Sequence, residues 1–254
     1  MSMKNDVITE EYTLPSLGKV YDVPVNPTVR LASMLTEHEM KRLSPSERPY
    51  KTLCEIIDDC LVDNPGISSY DMCMADYIFL LHKLRVATYG KTYDVTSVCP
   101  YCGSETKDAI DLDALEVKYY DKNNFAELTQ FTLPRTGKQI KLVMQTPRMN
   151  DEIAIRSKEL KRKSNGAVGD SALLYTLQMV VDTVDGKRMD VITSEDFLRN
   201  LPMMDTNYII QHAQKLVESF GVRTEVNRVC SVCGLDYNNS FRLGPDFFRP
   251  EIDI

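Results

Sequence analysis

The chain reads as a helix-rich α+β protein whose two pseudo-repeated halves are joined by a single four-cysteine site, and three observations carry that reading. Two near-identical knuckles, Cys99-Pro100-Tyr101-Cys102-Gly103 and Cys230-Ser231-Val232-Cys233-Gly234, lie far apart in the sequence. Each is flanked by β-prone segments: Tyr93 to Val98 and Ala109 to Leu112 around the first, Thr224 to Val229 and Ser240 to Leu243 around the second. Each knuckle therefore reads as the tip of a β-hairpin. Upstream, Leu14-Pro15-Ser16-Leu17-Gly18-Lys19 and Leu133-Pro134-Arg135-Thr136-Gly137-Lys138 match, and each opens a β-prone segment followed by helical patterns. The same order of landmarks thus occurs twice. It divides the chain into an arm over 1–13, a first half over 14–118, a second half over 119–243 and a tail over 244–254.

The elements follow from local chemistry. Val23 to Leu31 reads as extended, and Pro24 and Pro27 place it at an edge. Thr36-Glu37-His38-Glu39 resembles a capping box opening a helix through Leu43. After Ser44-Pro45-Ser46-Glu47 the chain restarts; Tyr50, Leu53, Cys54, Ile57 and Leu61 share a helical stripe that Asn64-Pro65-Gly66 ends. Ser68 with Asp71 is placed to cap the next helix, with the stripe Cys73, Tyr77, Leu80, Leu81 and Leu84. Cys54 and Cys73 are therefore expected in the core.

In the second half, Arg135 to Met144 reads as a hairpin or strand pair, Asn150 to Lys163 as a charged helix and Ser164 to Gly169 as a loop. Leu173, Leu174, Leu177, Val180, Val181 and Val184 predict a buried helix closed by Asp185-Gly186. A short helix over Ser194 to Leu201 follows. Asp205 is placed to cap a last helix carrying Ile209, Ala213, Leu216, Val217 and Phe220, which Gly221 stops.

Cys-x-x-Cys-Gly lets two thiolates converge on one ion, because the tight turn aims backbone N–H groups at sulfur and glycine accepts positive φ. Two such half-sites complete a tetrahedron, so Cys99, Cys102, Cys230 and Cys233 are the expected ligands of one structural zinc per chain. A redox dithiol or unmetallated thiols are the other readings of this spacing. Zinc catalysis needs an open coordination position, and four cysteines leave none; a zinc hydrolase would require water to displace one of them. Cys54, Cys60 and Cys73 are left over, an odd number that suits reduced buried thiols.

No other chemistry converges. His38, His82 and His212 fall on three different predicted helices outside any His-Glu-x-x-His pattern, and no Gly-x-Ser-x-Gly elbow, phosphate-binding glycine loop or Rossmann fingerprint occurs. Asp58 and Asp59 are adjacent on a helix and splay about 100° apart, a poor acid/base pair. No enzyme is expected. With 254 residues, 43% hydrophobic content and a formal charge of −7, the chain can bury one large or two moderate cores and is a poor general polyanion binder. The run Lys158, Lys161, Arg162, Lys163 contains Glu159 and lacks aromatic stacking partners, so a solvated helix face outweighs a nucleic-acid site. Met1 to Asp6 has no apolar h-region and no stretch approaches a membrane span, which predicts a cytoplasmic protein with no membrane role. In the tail, Phe247, Phe248, Ile252 and Ile254 either cover the protein's own core or dock on a partner.

The run Leu14-Pro15-Ser16-Leu17-Gly18-Lys19-Val20-Tyr21, the extended segment to Arg30-Leu31, Thr36-Glu37-His38-Glu39, the helices after it and the Cys99–Gly103 knuckle resemble the baseplate protein family of T-even-type contractile-tailed bacteriophages. The resemblance covers mainly residues 14–115. It implies a structural or assembly role in the baseplate hub, with other hub, spike or tail-tube-initiating proteins as partners. It also implies a place in the virion tail baseplate, reached from the host cytoplasm during assembly. The family offers no catalytic residues to carry over. The alternative from another class is a zinc-ribbon adaptor acting on nucleic acid or transcription machinery, which salt-dependent DNA or RNA binding would reveal.

Overall fold

The computed structural model describes residues 9–164, 171–240 and 245–248. Among them the chain is mixed helix and strand, with eight α-helices and only short strands. The first half opens on β1 (Glu10–Thr13), which pairs antiparallel with β2 (Thr28–Leu31). β1 lies inside the stretch read from sequence as a polar arm. Its pairing with β2 supplies backbone partners that its own polar composition does not advertise. Helices α1 (Thr36–Leu43), α2 (Pro49–Cys60) and α3 (Met74–Tyr89) follow, then the hairpin β3 (Thr92–Val98) and β4 (Glu105–Asp111), a 3-10 turn at Leu112–Ala114 and β5 (Val117–Lys118).

α3 is the pillar of this half. Its apolar residues are not confined to one stripe, and Tyr77, Phe79, Leu80, Leu81, Leu84 and Val86 are all buried, as a helix enclosed by its neighbours requires. With Leu14, Leu31, Cys54, Ile56 and Ile57 they make one core.

The second half contains α4 (Lys122–Thr129), β6 (Gln130–Thr132), β7 (Gln139–Leu142), α5 (Pro147–Lys163), α6 (Ala172–Val180), β8 (Val181–Val184), α7 (Val191–Arg199), α8 (Met203–Val217), β9 (Gly221–Val222) and the hairpin β10 (Glu225–Val229) and β11 (Asp236–Ser240). β6, β7 and β8 form an antiparallel sheet in that order. Leu133, Ile140, Leu142, Leu177, Ile209 and Phe220 build a second core, which Cys73 and Ala75 from the start of α3 also enter. β5 and β9 pair with each other, so the two halves share hydrogen bonds as well as packing.

Several sequence expectations are corrected. The α1 cap is not Thr36: the N-cap is Leu35, whose N–H donates to His38 Nδ1 at 2.9 Å, so the histidine takes the reciprocal capping part. α2 stops at Cys60, and Leu61 leaves the helix to bridge Leu31, with the Val62 N–H bonded to the Arg30 carbonyl. Ser68 and Asp71 do not cap α3. The Ser68 hydroxyl donates to Asp58, and Asp71 forms a bidentate pair with Arg148. The predicted helix over Leu173–Val184 ends at Val180, because Val181–Val184 adds to the β7 edge. α7 begins at Val191 rather than Ser194, since Asp190 accepts the Ile192 and Thr193 N–H groups, and it ends at Arg199, before Leu201. Asp205 lies inside the first turn of α8, after Pro202, and is not its cap. The expected loop at Asn165–Gly169, the segment Phe241–Leu243, and Ile252 and Ile254 lie outside the described residues.

The tail's aromatic pair belongs to the protein's own core. Phe247 and Phe248 are buried in the first cluster, Phe247 meets the rings of His82 and Tyr93 edge-on, and its carbonyl accepts from Arg85 Nε at 2.8 Å. Arg85 is itself buried, and a second carbonyl, that of Gly90, satisfies Nη1 at 3.0 Å. Phe248→Ala is therefore expected to lower stability by about 3 kcal/mol, the low end for a buried phenylalanine. A denaturant midpoint unchanged by the substitution would return the segment to the docking reading.

Candidate metal centre

The two knuckles close their hairpins in the same way. In the first, the Cys99 N–H donates to the Ser104 carbonyl and the Gly103 N–H to the Cys99 carbonyl, each at 2.9 Å. In the second, the Cys230 N–H donates to Leu235 at 3.0 Å and the Gly234 N–H to Cys230 at 2.9 Å. Gly103 and Gly234 take φ of 72° and 71°. That left-handed conformation strains any residue with a Cβ, which explains glycine directly after the second cysteine of each pair.

These turns bring all four sulfurs within 4.8 Å of one another. The closest approaches cross between hairpins: Cys99 to Cys233 at 3.7 Å and Cys102 to Cys230 at 3.6 Å. Both are far beyond a disulfide bond of about 2.05 Å. They match instead the edge of a tetrahedron with metal–sulfur bonds of about 2.3 Å, which is about 3.8 Å. The donor set is thus four thiols, two supplied by each hairpin, whose cross-hairpin pairs stand at the spacing of a tetrahedron's edge. Cys99 and Cys230 are buried beneath the site, while Cys102 and Cys233 reach its exposed side.

The four thiols titrate in each other's field. The Ser104 hydroxyl, followed by the Cys233 and Val232 amides, lowers the Cys230 thiol to about 6. Ser104 likewise lowers Cys102, through its hydroxyl and its amide. At Cys233 the Leu235 amide pulls downward, yet desolvation and the neighbouring cysteines push the thiol up to about 12. Sulfurs this close cannot all ionise alone, since each thiolate raises the cost of the next; a bound cation removes that conflict. Beneath the cluster the buried Tyr237 hydroxyl is hydrogen-bonded to Ser97 Oγ at 3.1 Å, and Ser97 to Thr106 Oγ1 at 3.0 Å. The hairpins are therefore cross-tied by side chains as well as by the cysteines.

The remaining candidates go elsewhere. Cys54 and Cys60 sit in the first core and Cys73 in the second; burial pushes Cys54 and Cys60 up to about 12 and Cys73 up as well, so these thiols stay protonated. His82 donates from Nδ1 to the Ile78 carbonyl at 2.8 Å, and burial lowers it to about 4. His212 lies against the Phe131 ring at 3.9 Å between centroids. Asp58 accepts the Ser68 hydroxyl and the Ser69 N–H, whereas Asp59 pairs with Lys41, so the adjacent carboxylates serve separate contacts. Lys158, in the basic run, reaches Glu47 from an exposed helix face.

Asp76, not singled out in the sequence, and Asp205, read there as a helix cap, each anchor a loop in the fold. Asp76 of α3 is buried and accepts from the Ser16 N–H at 2.9 Å, the Ser16 hydroxyl and the Tyr21 hydroxyl at 2.6 Å. Asp205 of α8 accepts from the Arg135 N–H at 2.9 Å and the Thr136 N–H at 3.0 Å. Each aspartate thus holds one of the two Leu-Pro-x-x-Gly-Lys loops, from the third residue of the helix that leads toward a knuckle. The signal in sequence was an aspartate two residues inside a helix start, which reads equally well as a cap.

Fold and site together define an α+β protein whose halves are joined through two chain-distant cysteine hairpins. The family described as T4 bacteriophage base plate protein matches residues 7–249, nearly the whole chain, and the protein belongs to that family. The match takes in both halves, beyond the residues 14–115 that carry the resemblance in sequence. No curated protein and no solved structure matches the chain significantly. Among the described residues no helix is long and apolar enough to cross a membrane.

Proposed function

We propose that this baseplate protein is a non-catalytic structural or assembly component of the hub of a contractile tail. Its partners are neighbouring hub, spike or tail-tube-initiating proteins, and it reaches the virion baseplate from the host cytoplasm. The observation that carries the reading is the family match over residues 7–249. The four-cysteine cluster supports it: its spacing fits zinc, and a zinc held by four thiolates has no position left for substrate. Bound there, the metal supplies a crosslink between residues more than a hundred positions apart. Cys99 and Cys102 hold one hairpin and Cys230 and Cys233 the other, and Ser97, Thr106 and Tyr237 fix their mutual orientation.

We also infer that the two halves are related as repeats. The matched loops, the equal φ of 67° at Gly18 and Gly137, the twin aspartates and the twin knuckles support this. Duplication suits a hub part that ties unlike neighbours together, because it sets two similar platforms in a fixed relation.

In a phage with this gene disrupted, tails are expected to fail before tube polymerisation while heads still form, as electron microscopy of lysates would record. The recombinant protein should co-elute with at least one other baseplate component. Normal infectious particles from the disrupted phage, with no baseplate partner, would overturn the proposal.

A further inference from the structure

The four sulfurs are also placed for a second kind of bond. Cys99 meets Cys233 at 3.7 Å and Cys102 meets Cys230 at 3.6 Å, each in a geometry that lets one thiol donate to the other. The two pairs share no cysteine, and each runs from one hairpin to the other. Closing either pair to a disulfide of about 2.05 Å takes about 1.6 Å of approach, divided between two side chains.

The hairpins are held face to face by more than sulfur. Val95, Ser97 and Cys99 alternate along one side of the first hairpin and are buried, as are Cys230 and Tyr237 on the second. Cys99, Cys230 and Tyr237 pack as a cluster of their own, and Ser97 bonds the Tyr237 hydroxyl across the joint. Cys102 and Cys233 are exposed, so each cross-hairpin pair joins one sulfur that a small oxidant reaches to one that is buried. Cys54, Cys60 and Cys73 belong to the two cores and do not compete.

We propose that the cluster is a convertible clamp: where a peroxide meets the zinc-loaded site, the four thiolates become two disulfides, Cys99–Cys233 and Cys102–Cys230, and the joint between the hairpins persists without the metal. The steps balance. The exposed thiolate of Cys102 or Cys233 attacks the peroxide, the O–O bond breaks, and a sulfenic acid and a hydroxide form. The buried thiolate of the other hairpin then attacks that sulfur; the S–O bond breaks, the S–S bond forms and a second hydroxide leaves. Two peroxides accept the four electrons of four thiolates, and two disulfides, four hydroxides and the freed metal ion result. A bond within a knuckle would span three positions and join nothing. The cross-hairpin bonds span 134 and 128 positions, so they constrain the unfolded chain far more. Cytoplasm keeps thiols reduced whereas virion surfaces are oxidising, so the metal form suits assembly and the disulfide form the finished particle. This inference rests on the metal and virion readings proposed above and gives that site a second state.

The test treats the full-length protein, its zinc content first measured, with graded hydrogen peroxide. A chromogenic chelator reads released zinc, and remaining thiols are alkylated before unreduced digests are mapped by mass spectrometry. Zinc release is expected in step with Cys99–Cys233 and Cys102–Cys230 disulfides, with Cys54, Cys60 and Cys73 recovered as thiols. Hydrogen exchange over β3, β4, β10 and β11 should stay slow in the oxidised, metal-free chain, and should accelerate about tenfold or more when dithiothreitol reduces it in the presence of chelator. Cys102→Ser with Cys230→Ser, which keeps one cross-hairpin pair, should still yield Cys99–Cys233. Disulfides within the knuckles, disulfides between chains, sulfinic acids in place of disulfides, or fast exchange in the oxidised chain would each overturn the inference while leaving the metal reading intact. Zinc absent from the unoxidised protein would sink the metal reading and this inference together.

Discussion

Purified without chelator, the protein is expected to hold one zinc per chain, and Cys230→Ser with Cys233→Ser to abolish binding. The physical reason is the crowding of four acidic thiols. With four sulfurs within 4.8 Å, each thiolate raises the cost of the next. One dication satisfies all four. In small zinc-finger peptides such a set binds with roughly 10–16 kcal/mol, and that free energy is folding free energy where the apo site does not form alone. The four clustered cysteines lie outside both cores, while Val95 and Ile110 tie the base of the first hairpin into the first core, so loss of metal should loosen the knuckle ends of the hairpins rather than the whole chain. Hydrogen exchange is expected to accelerate over β3, β4, β10 and β11 and to change little over α3 and α8. Because the ligands must shed protons, zinc retention should also fall as the medium is acidified below neutral pH. Elemental analysis gives the stoichiometry. Less than half an equivalent in the unaltered protein, or full retention in the double variant, would count against the site.

What was legible in the sequence were features that depend on near neighbours. The knuckles announce themselves because the turn, the glycine and the two thiols occupy five consecutive positions. The apolar stripe of α8 is legible because helical period and burial coincide at Ile209 and Leu216, whereas on α3 Tyr77, Leu80, Leu81 and Leu84 are buried together with residues off that stripe such as Phe79 and Val86. What was not legible depended on a distant partner. Val180, Val181 and Val184 continue a helical spacing from Leu177, but β-branched residues also favour strands, and the open edge of β7 decides for the strand. Glu10 to Thr13 carries no period of its own and becomes a strand because Thr28–Leu31 is there to pair with it. The tail was undecidable in the same sense, since Phe247 is a core residue only because Arg85, His82 and Tyr93 surround it. The cysteine site lay between these cases. Its members were readable from spacing, whereas their meeting across the chain depended on both hairpins being carried to one place by α3 and α8.

That positioning makes the twin aspartates the next most sensitive point in the molecule. Asp76→Ala would leave the Ser16 N–H and the Ser16 hydroxyl without a partner and the Tyr21 hydroxyl with only the Cys73 sulfur. Each such loss costs about 1–3 kcal/mol, so a total of about 5 kcal/mol is expected. At about 2–4 °C per kcal/mol for a chain of this size, the melting temperature should fall by roughly 10–20 °C. Asp76→Asn keeps an acceptor oxygen and should cost less. Asp205→Ala strands two amides on exposed loop residues, where water can replace the lost acceptor, and should act in the same direction with a smaller effect. The two sites should differ in sign with pH. Burial raises the Asp76 carboxyl above its ordinary value of 3.8 despite its hydrogen bonds; a carboxyl raised in the folded state favours folding least once it must ionise. Its contribution therefore declines as pH climbs from about 3.8 through the folded value, so the penalty of Asp76→Asn should shrink over that window. At Asp205 burial works upward too, but the Arg135 and Thr136 donors outweigh it and hold the carboxyl below 3.8. Its contribution is present above 3.8 and is lost as pH falls through the folded value, so the penalty of Asp205→Asn should shrink on acidification instead. Denaturant titrations of both asparagine variants from pH 3 to 7 would read these opposite slopes. Parallel slopes would mean that the two carboxylates share one protonation regime, against the opposite shifts that their surroundings impose.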